Sequence, residues 1–424
     1  MRKRWPVIAL ALIVGVAGYL GAQAYSSHVF ERELARSVAR INAEGRWQAE
    51  RDVGERGWFH SEGRIALSPA GEGGDWRLVL PFDARHGILH TRLAGALQVM
   101  LAGDDAAATE PRALFGDVLA SAEPRWTATL DHFDRRGEAR IVFAAFERAT
   151  PAGRLAFTGA ELDIEGRHGD LRLTGQVAPL RLEQGDRQLI AGPVFVNNRY
   201  RFDARGEYYH QRNELILDSL EYRDPQRATL VLRTLRYADE TRLERDLQVA
   251  LSLSLEQARV AEQPLLAGNA ELALARLDGD AVRDLVGELG ALLQAGDLAS
   301  LDETARRRLL ARLEPMVLAT LADSPRLTLE AVNLSSAMFG VDMRGHGELT
   351  FDGTDSQALE IADLGQAATR GPWRERLDGR IEAYDVPPLL LMQLGLPLDT
   401  RRLTLRVVDG ALRLNGRELS ELPL

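Results

Sequence analysis

Histidine side chains can bind a metal or move a proton, and of the eight histidines in this sequence only His86 and His90 lie close together. Their i, i+4 spacing would place both rings on one face of a helix, as in helical zinc sites. Gly87 disfavours a helix there, and on a strand residues four apart are separated by about 13 Å. The pattern therefore predicts a turn with solvated or hydrogen-bonded histidines and no bound metal.

The sequence contains none of the motifs that mark common enzyme sites. It has no Gly-x-Ser-x-Gly elbow, P-loop, dinucleotide glycine fingerprint, His-Glu-x-x-His or cysteine. The glycine cluster at 71–74 lacks the lysine and the following helix that phosphate binding requires, so it predicts a loop. Asp104 and Asp105 stand in a polar, alanine-rich segment and are expected to be solvated. We expect no catalytic, cofactor-binding or metal-binding residue and no enzyme; an unrecognised hydrolase is the alternative.

The charge balance excludes nucleic acid as a partner. The net charge is −10, with 62 acidic against 52 basic residues, whereas binding to nucleic acid depends on neutralising phosphates. Lys3 is the only lysine, and so complete a bias towards arginine indicates a GC-rich genome rather than selection for phosphate binding. Apolar residues make up 45% and charged residues 27% of the chain, which is typical of a folded protein.

The N-terminal segment predicts a membrane anchor. A basic start, Met-Arg-Lys-Arg, precedes the uncharged run Trp5–Ser27, and Val7–Leu20 within it is almost wholly aliphatic or glycine. A helix of about 20 apolar residues crosses a bilayer core of about 30 Å. The basic residues before it keep the N-terminus in the cytoplasm.

We therefore predict a membrane anchor at residues 1–27, which contacts the bacterial inner membrane through residues 5–27. The exported domain, residues 28–424, is expected in the periplasm. A cleaved signal peptide is the alternative, because the Ala-Gln-Ala sequence at 22–24 matches the cleavage pattern. Continuation of the helix favours the uncleaved anchor, since one face is apolar in the order Phe30, Leu34, Val38, Ile41.

From Gly45 onward, period-2 alternation predicts a mainly β domain built of long antiparallel meanders. The clearest run is Leu247–Leu255, in which leucine and valine alternate with small or polar residues. Such a strand has one apolar face and one face in water. Other strands are predicted at Leu171–Val177, Thr229–Tyr237, Ala270–Leu277, Leu327–Leu334, Val341–Phe351, Leu377–Tyr384 and Leu403–Val408. Turns are expected at 165–166, 184–186, 205–206 and 409–410.

A helical insert at 280–322 interrupts the strands. The first helix has its apolar stripe at Val282, Leu285, Val286, Leu289, Leu292 and Leu293. The second begins at a capping box, Ser300 with Glu303, and Pro315 should kink or split it near Arg312. The pair either packs on a sheet or forms a lid over an apolar groove. A short helix is expected at Leu389–Leu396 after two prolines, followed by a terminal hairpin.

The order of these parts resembles the YdgA-like family of bacterial proteins, a domain family of unknown function. The resemblance is carried by the anchor, by Arg85-His86-Gly87, by Glu314-Pro315 in the insert, by the strand beginning Pro325-Arg326-Leu327-Thr328-Leu329, and by the end Asp409-Gly410-Ala411-Leu412-Arg413-Leu414-Asn415-Gly416. Ile88 stands where the pattern has proline after His-Gly. The resemblance implies an inner-membrane anchor and an exported domain, and it supplies no catalytic residues.

Three functional classes fit these features to different degrees. A non-enzymatic binding protein would hold lipid or another amphiphile on the apolar faces of its strands. An assembly or scaffold factor would bind other envelope proteins through exposed sheet edges. An outer-membrane barrel is disfavoured by the helical insert and by an aromatic content of only 6%. The aromatic pairs at 58–59 and 208–209 either form a ligand-facing or membrane-facing rim or pack on core strands, and core packing is the favoured reading.

Overall fold

A computed structural model of the chain describes residues 5–45, 47–69, 76–101, 112–117, 119, 121–150, 153–203, 206–295, 303–365, 370–408 and 410–418. The glycine cluster at 71–74, Asp104, Asp105 and Ser300 lie outside these residues, as do the side chains of 5–22. The chain is mainly β and its strands pair antiparallel, as the alternation predicts.

The helices are α1 (Trp5–Glu44), α2 (Gly279–Ala295), α3 (Glu303–Thr320), α4 (Gly371–Arg374) and α5 (Pro388–Gln393). The first half of the chain holds strands β1 (Trp47–Arg56), β2 (His60–Pro69), β3 (Trp76–His86), β4 (His90–Ala96), β5 (Gln98–Leu101), β6 (Arg112–Ala113), β7 (Arg125–Asp131), β8 (Gly137–Phe143), β9 (Phe146–Thr150), β10 (Gly153–Phe157), β11 (Ala160–Arg167), β12 (Asp170–Val177), β13 (Leu180–Gln184), β14 (Arg187–Ala191) and β15 (Val194–Phe202). The second half holds β16 (Tyr209–Asp224), β17 (Arg227–Leu243), β18 (Asp246–Val260), β19 (Gln263–Asp278), β20 (Arg326–Ser336), β21 (Val341–Phe351), β22 (Leu377–Tyr384), β23 (Arg402–Val408), β24 (Ala411–Leu414) and β25 (Arg417–Glu418).

Two compact units divide the chain. The first comprises Met1–Arg148, Phe157–Gly175 and Gly290–Ser300. Its strands pair in the order β1–β2–β3–β4–β7–β8–β11. The last residues of β3 pair with β4, and its first residues pair with β5. The hairpins β1–β2, β3–β4 and β7–β8 therefore turn at the same end of this sheet.

The second half of α1 packs on the sheet of the first unit. Phe30 is buried against Phe82 and Ala84, and its ring meets the Phe82 ring edge-on at a centroid distance of 6.1 Å. The partly buried residues around this core are Leu34, Ile65, Leu93, Trp126 and Leu130. The predicted continuation of the helix is confirmed, and its apolar face covers a sheet.

The predicted anchor falls mainly on residues whose side chains lie outside the described part of the chain. Within that described part, no helix is both long enough and apolar enough to span a membrane.

The second unit comprises Ala149–Ala156, Gln176–Leu289 and Leu301–Leu424. Strands β15 to β25 pair in sequence order, so the sheet is one long meander. Strands β16 to β19 have 15 to 17 residues each, which makes them about 50 Å long at about 3.3 Å per residue. The predicted strands at 229–237, 247–255 and 270–277 are parts of these longer strands.

Tight turns connect the long strands. Ala261 and Glu262 both have positive φ, of 47° and 64°, as the two central residues of a type I′ turn require. Asn415 and Gly416, between β24 and β25, also both have positive φ, of 49° and 86°. The turn predicted at 165–166 is wrong, because Gly166 still pairs with Gly137 inside β11.

The helical insert is confirmed as α2 and α3, and Asp278 caps α2 by accepting a hydrogen bond from the Ala281 N–H at 2.8 Å. Of the two outcomes predicted for Pro315, a kink or a split near Arg312, the split is wrong, because α3 runs through Pro315 to Thr320; the kink stays a prediction. Leu318 of α3 is only 2% exposed, and its carbonyl accepts a hydrogen bond from Ser356. These contacts fix α3 against the 3₁₀ turn Ser356–Ala358.

The short helix after the prolines is confirmed as α5. Leu391 of α5 is 1% exposed and forms a core with Val386, Leu396 and Leu414. This core joins α5 to the terminal hairpin, so it closes the C-terminal end of the second unit.

An ion cluster on β22 is expected to make the second unit sensitive to acid. The Tyr384 hydroxyl donates a 2.6 Å hydrogen bond to Glu382, and with Arg402 beside it this lowers the pKa of Glu382 to about 2. The folded pKa lies below the unfolded pKa of about 4.5, so this stabilisation is complete above pH 4.5 and is lost as the pH falls to 2. We expect Glu382→Gln to flatten the loss of thermal stability between pH 5 and pH 2. An unchanged slope would contradict this assignment.

Candidate functional site

The long meander of the second unit presents a row of exposed apolar side chains. Leu215 of β16, Tyr237 of β17 and Leu253 of β18 lie directly opposite one another in the register. Their exposed fractions are 42%, 39% and 46%. The next row pairs Leu251 with Leu272, which are 37% and 36% exposed. We call these five residues the leucine face.

The opposite face carries polar and small residues along β17 and β18, beside Ile216 of β16. Ser252 and Ser254 alternate with the leucines of β18, and Ser254 lies opposite Arg236. Arg236 also forms an ion pair with Glu214 at 3.4 Å. Apolar area is normally removed from water, so the exposed leucine face is an apolar patch that a ligand or partner can cover.

A polar cluster borders the leucine face. Asn213 lies opposite Asp239, which lies opposite Leu251, and the Asn213 amide donates to the Asp239 carboxylate at 3.0 Å. Burial, with the charge and hydrogen bond of Asp239, raises the pKa of Tyr237. The face therefore combines apolar surface with a negative, hydrogen-bonding end.

A network of histidine and hydroxyl side chains, with His86 buried and His132 half-buried, crosses the first unit where α1 meets the sheet. The Thr91 hydroxyl bridges His86 Nδ1 at 3.0 Å and His132 Nε2 at 3.1 Å. The other ring nitrogen of His86 is 2.9 Å from the Ser61 hydroxyl, and His132 Nε2 is 2.6 Å from Ser26 of α1. Thr91, Ser26 and Ser61 are at most 1% exposed. This network fixes the helix to three strands.

The network keeps its histidines neutral. Burial lowers the pKa of His86 and of His132, and the nearby carboxylates of Glu31 and Asp131 oppose that effect only in part. His132 Nδ1 is buried without a hydrogen-bond partner among the described atoms. The arrangement has a helix-docking role and lacks an approachable nucleophile beside a base.

Mild acid is expected to destabilise the protein through these histidines. Their folded pKa values lie below the unfolded value of about 6.5, so the unfolded chain takes up protons first as the pH falls from 6.5. We expect the unfolding temperature to fall between pH 7 and pH 5, and to fall less in His132→Gln. His28→Gln is the control, because His28 is exposed on α1. Equal slopes in all three proteins would contradict the prediction.

The predicted turn with hydrogen-bonded histidines is confirmed, because His86 ends β3 and His90 begins β4 on either side of a turn, and His86 is hydrogen-bonded. The structure corrects one prediction for the hairpin residues. Trp58 and Phe59 do not pack on core strands, because they are 57% and 47% exposed at the β1–β2 turn. Tyr208 and Tyr209 are half-buried, at and just before the start of β16.

His60, Glu62 and Asp83 form a cluster that the sequence pattern did not reveal. His60 Nε2 is 3.1 Å from Asp83 and 3.5 Å from Glu62, and the three ligand atoms lie within 4.8 Å of one another. Such a set could accept a divalent cation, and the same contacts serve as ion pairs on a solvated surface. Only the β2–β3 register, which places Glu62 opposite Asp83, brings them together.

These features define a class of protein: a mainly β chain led by a long helix, with a helix-covered sheet followed by a meander that has one exposed apolar face. The chain belongs to the family described as "Bacterial protein of unknown function (DUF945)", whose model matches residues 1–369. This match confirms the family resemblance found in the sequence. Searches of curated proteins and of solved structures found no match.

Proposed function

We propose that this chain is a non-enzymatic binding protein for lipid or another amphiphile, tethered to the bacterial inner membrane with its body in the periplasm. The observation that carries the proposal is the leucine face, an uninterrupted cross-strand row of exposed apolar residues on long strands. Covering such a row with acyl chains removes apolar area from water, which stabilises the complex by about 25 cal/mol for each Å² buried.

The polar cluster indicates which end of the amphiphile it contacts. Asp239 is an acceptor held in place by Asn213, and a negative carboxylate repels a phosphate. The group beside Asp239 is therefore a donor, either a hydroxyl or an ammonium group. The uncharged run Trp5–Ser27 supports the tether, since it keeps the chain beside a source of lipid.

Photo-crosslinking in intact cells tests the proposal. Tyr237 is replaced by p-benzoylphenylalanine, which keeps an aromatic ring on the leucine face. The matched control carries the same residue at Arg236, which is exposed on the polar face of the same strand. After irradiation, we expect adducts of lipid mass at 237 and none at 236. Protein adducts at 237 would contradict lipid binding and favour an assembly role instead. An absence of adducts would refute the proposal.

A further inference from the structure

Three hairpin tips of the first unit present large apolar side chains to solvent. Trp58 and Phe59 lie at the β1–β2 turn, Ile88 and Leu89 at the β3–β4 turn, and Phe133 at the β7–β8 turn. Their exposed fractions are 57%, 47%, 43%, 52% and 80%. Tight turns usually carry glycine, asparagine, aspartate or serine, so five apolar residues at these positions need a reason. We call these five residues the tip surface.

The three tips lie side by side and have a defined conformation. The His86 N–H donates to the Phe59 carbonyl at 2.8 Å, and the His132 N–H donates to the Leu89 carbonyl at 2.9 Å. Asp131 accepts hydrogen bonds from the backbone N–H groups of Phe133 and Asp134. The exposure of the tip surface therefore belongs to a hydrogen-bonded arrangement of adjacent turns.

Helix α1 meets the sheet at this same end. Ser27 donates to the Gly57 carbonyl at 2.9 Å, and Ser26 contacts His132. The uncharged run begins at Trp5, and at about 1.5 Å per residue the helix from Trp5 to Ser26 is about 30 Å long. That length equals the thickness of a bilayer core, about 30 Å. A bilayer that holds this run would end at the level of the tips.

The residues around the tips suit the interface of a bilayer. Tryptophan and tyrosine are enriched at that interface; Trp58 is 57% exposed at the first tip, and Tyr25, the residue before Ser26 on α1, is 60% exposed. Exposed arginines flank each tip: Arg56 before the first, Arg85 before the second and Arg135 after the third. Arg56 also pairs with Glu31 at 3.3 Å and Arg85 with Asp83 at 3.7 Å, and Asp131 and Asp134 are carboxylates of the third tip. Arginine at this level attracts anionic headgroups.

We propose that the tip surface inserts into the periplasmic interface of the membrane that holds α1, so that the first unit sits on the bilayer. The proposal rests on the tethering proposed above. The partner of the tip surface is a lipid bilayer with anionic headgroups, because the apolar tips, their arginines and the emerging helix all face the same side. The tips hold the unit in one orientation, which a single helix cannot do.

Fluorescence quenching in vesicles tests the proposal, and the absence of cysteine allows single labelled sites. The full chain is reconstituted in vesicles of phosphatidylethanolamine and phosphatidylglycerol. A polarity-sensitive dye is attached in the variants Leu89→Cys and Phe133→Cys, and nitroxide lipids serve as quenchers. We expect blue-shifted emission and strong quenching at both sites. Val142→Cys is the matched control, because Val142 is 43% exposed on β8 away from the tips, and it should be quenched several-fold less.

A fourth variant, Leu12→Cys, separates this proposal from the tether. Quenching at 12 without quenching at 89 and 133 would overturn insertion of the tips and leave the anchor in place. Quenching at 89 and 133 without quenching at 12 would support the contact between the tips and the membrane and refute the spanning anchor. Quenching at 142 as strong as at the tips would also overturn the proposal, since the contact would then be nonspecific.

Discussion

Replacing Leu253 by aspartate should abolish the lipid adduct formed from position 237. Leu253 lies directly opposite Tyr237, so an acyl chain that reaches the crosslinker must also contact residue 253. A carboxylate against a hydrocarbon chain loses its hydration without gaining a partner. At 46% exposure, Leu253 is not part of the buried core, so the substitution should leave the fold intact. Adduct yield by mass spectrometry is the measurement.

Ser254→Asp is the matched control for this experiment. Residue 254 is the next one along β18, faces the opposite side and lies opposite Arg236, so an aspartate there gains a favourable neighbour. We expect both variants to unfold at nearly the wild-type temperature and only Leu253→Asp to lose the adduct. Equal adduct yields from the two variants would show that the leucine face is not the binding site.

Replacing Thr91 by valine should strongly destabilise the first unit. The Thr91 side chain is fully buried, and its hydroxyl is the bridge between His86 and His132. Valine has nearly the same shape but leaves His86 Nδ1 without its partner, whereas His132 Nε2 keeps its contact with Ser26. A buried polar group that loses its hydrogen bond costs about 1–3 kcal/mol. We expect a loss of about 1–3 kcal/mol in the free energy of unfolding, measured by urea denaturation.

Thr127→Val is the control for that loss. Thr127 is an exposed threonine on β7, and exposed substitutions usually change stability by no more than about 0.5 kcal/mol. A loss at 91 no larger than the loss at 127 would mean that the histidine network does not hold α1 to the sheet.

The sequence predicts the strands well because period 2 is a local property. The alternation at Leu247–Leu255 identifies β18 and also identifies which side chains share its apolar face. It cannot show that the leucines remain exposed, because exposure depends on what covers the face. The helices of the insert are predictable for the same local reason, whereas the passage of α3 through Pro315 depends on its packing against later residues.

The candidate sites depend on register, which a single sequence does not display. Thr91 looks like an ordinary strand residue until β3, β4 and β7 bring it between two histidines. One signal was available: Gly57-Trp58-Phe59-His60-Ser61 and Gly87-Ile88-Leu89-His90-Thr91 share the pattern glycine, two apolar residues, histidine, hydroxyl. This repeat marks two equivalent hairpin tips. Neither turn contains the Asn-Gly or Asp-Gly pair that usually announces a hairpin.

The sequential pairing of β15 to β25 also determines how the second unit can assemble. Every new strand pairs with the one that precedes it, and most of these hairpins close a short loop, so little chain entropy is lost at those steps. The sheet can therefore lengthen in the direction in which the chain is synthesised, with one unpaired edge that moves forward. The longest connection is the one between β19 and β20, because α2 and α3 intervene, while α4 and α5 lie in the connections β21–β22 and β22–β23. Growth should pause at β19, with its edge open, until the insert has folded and β20 arrives.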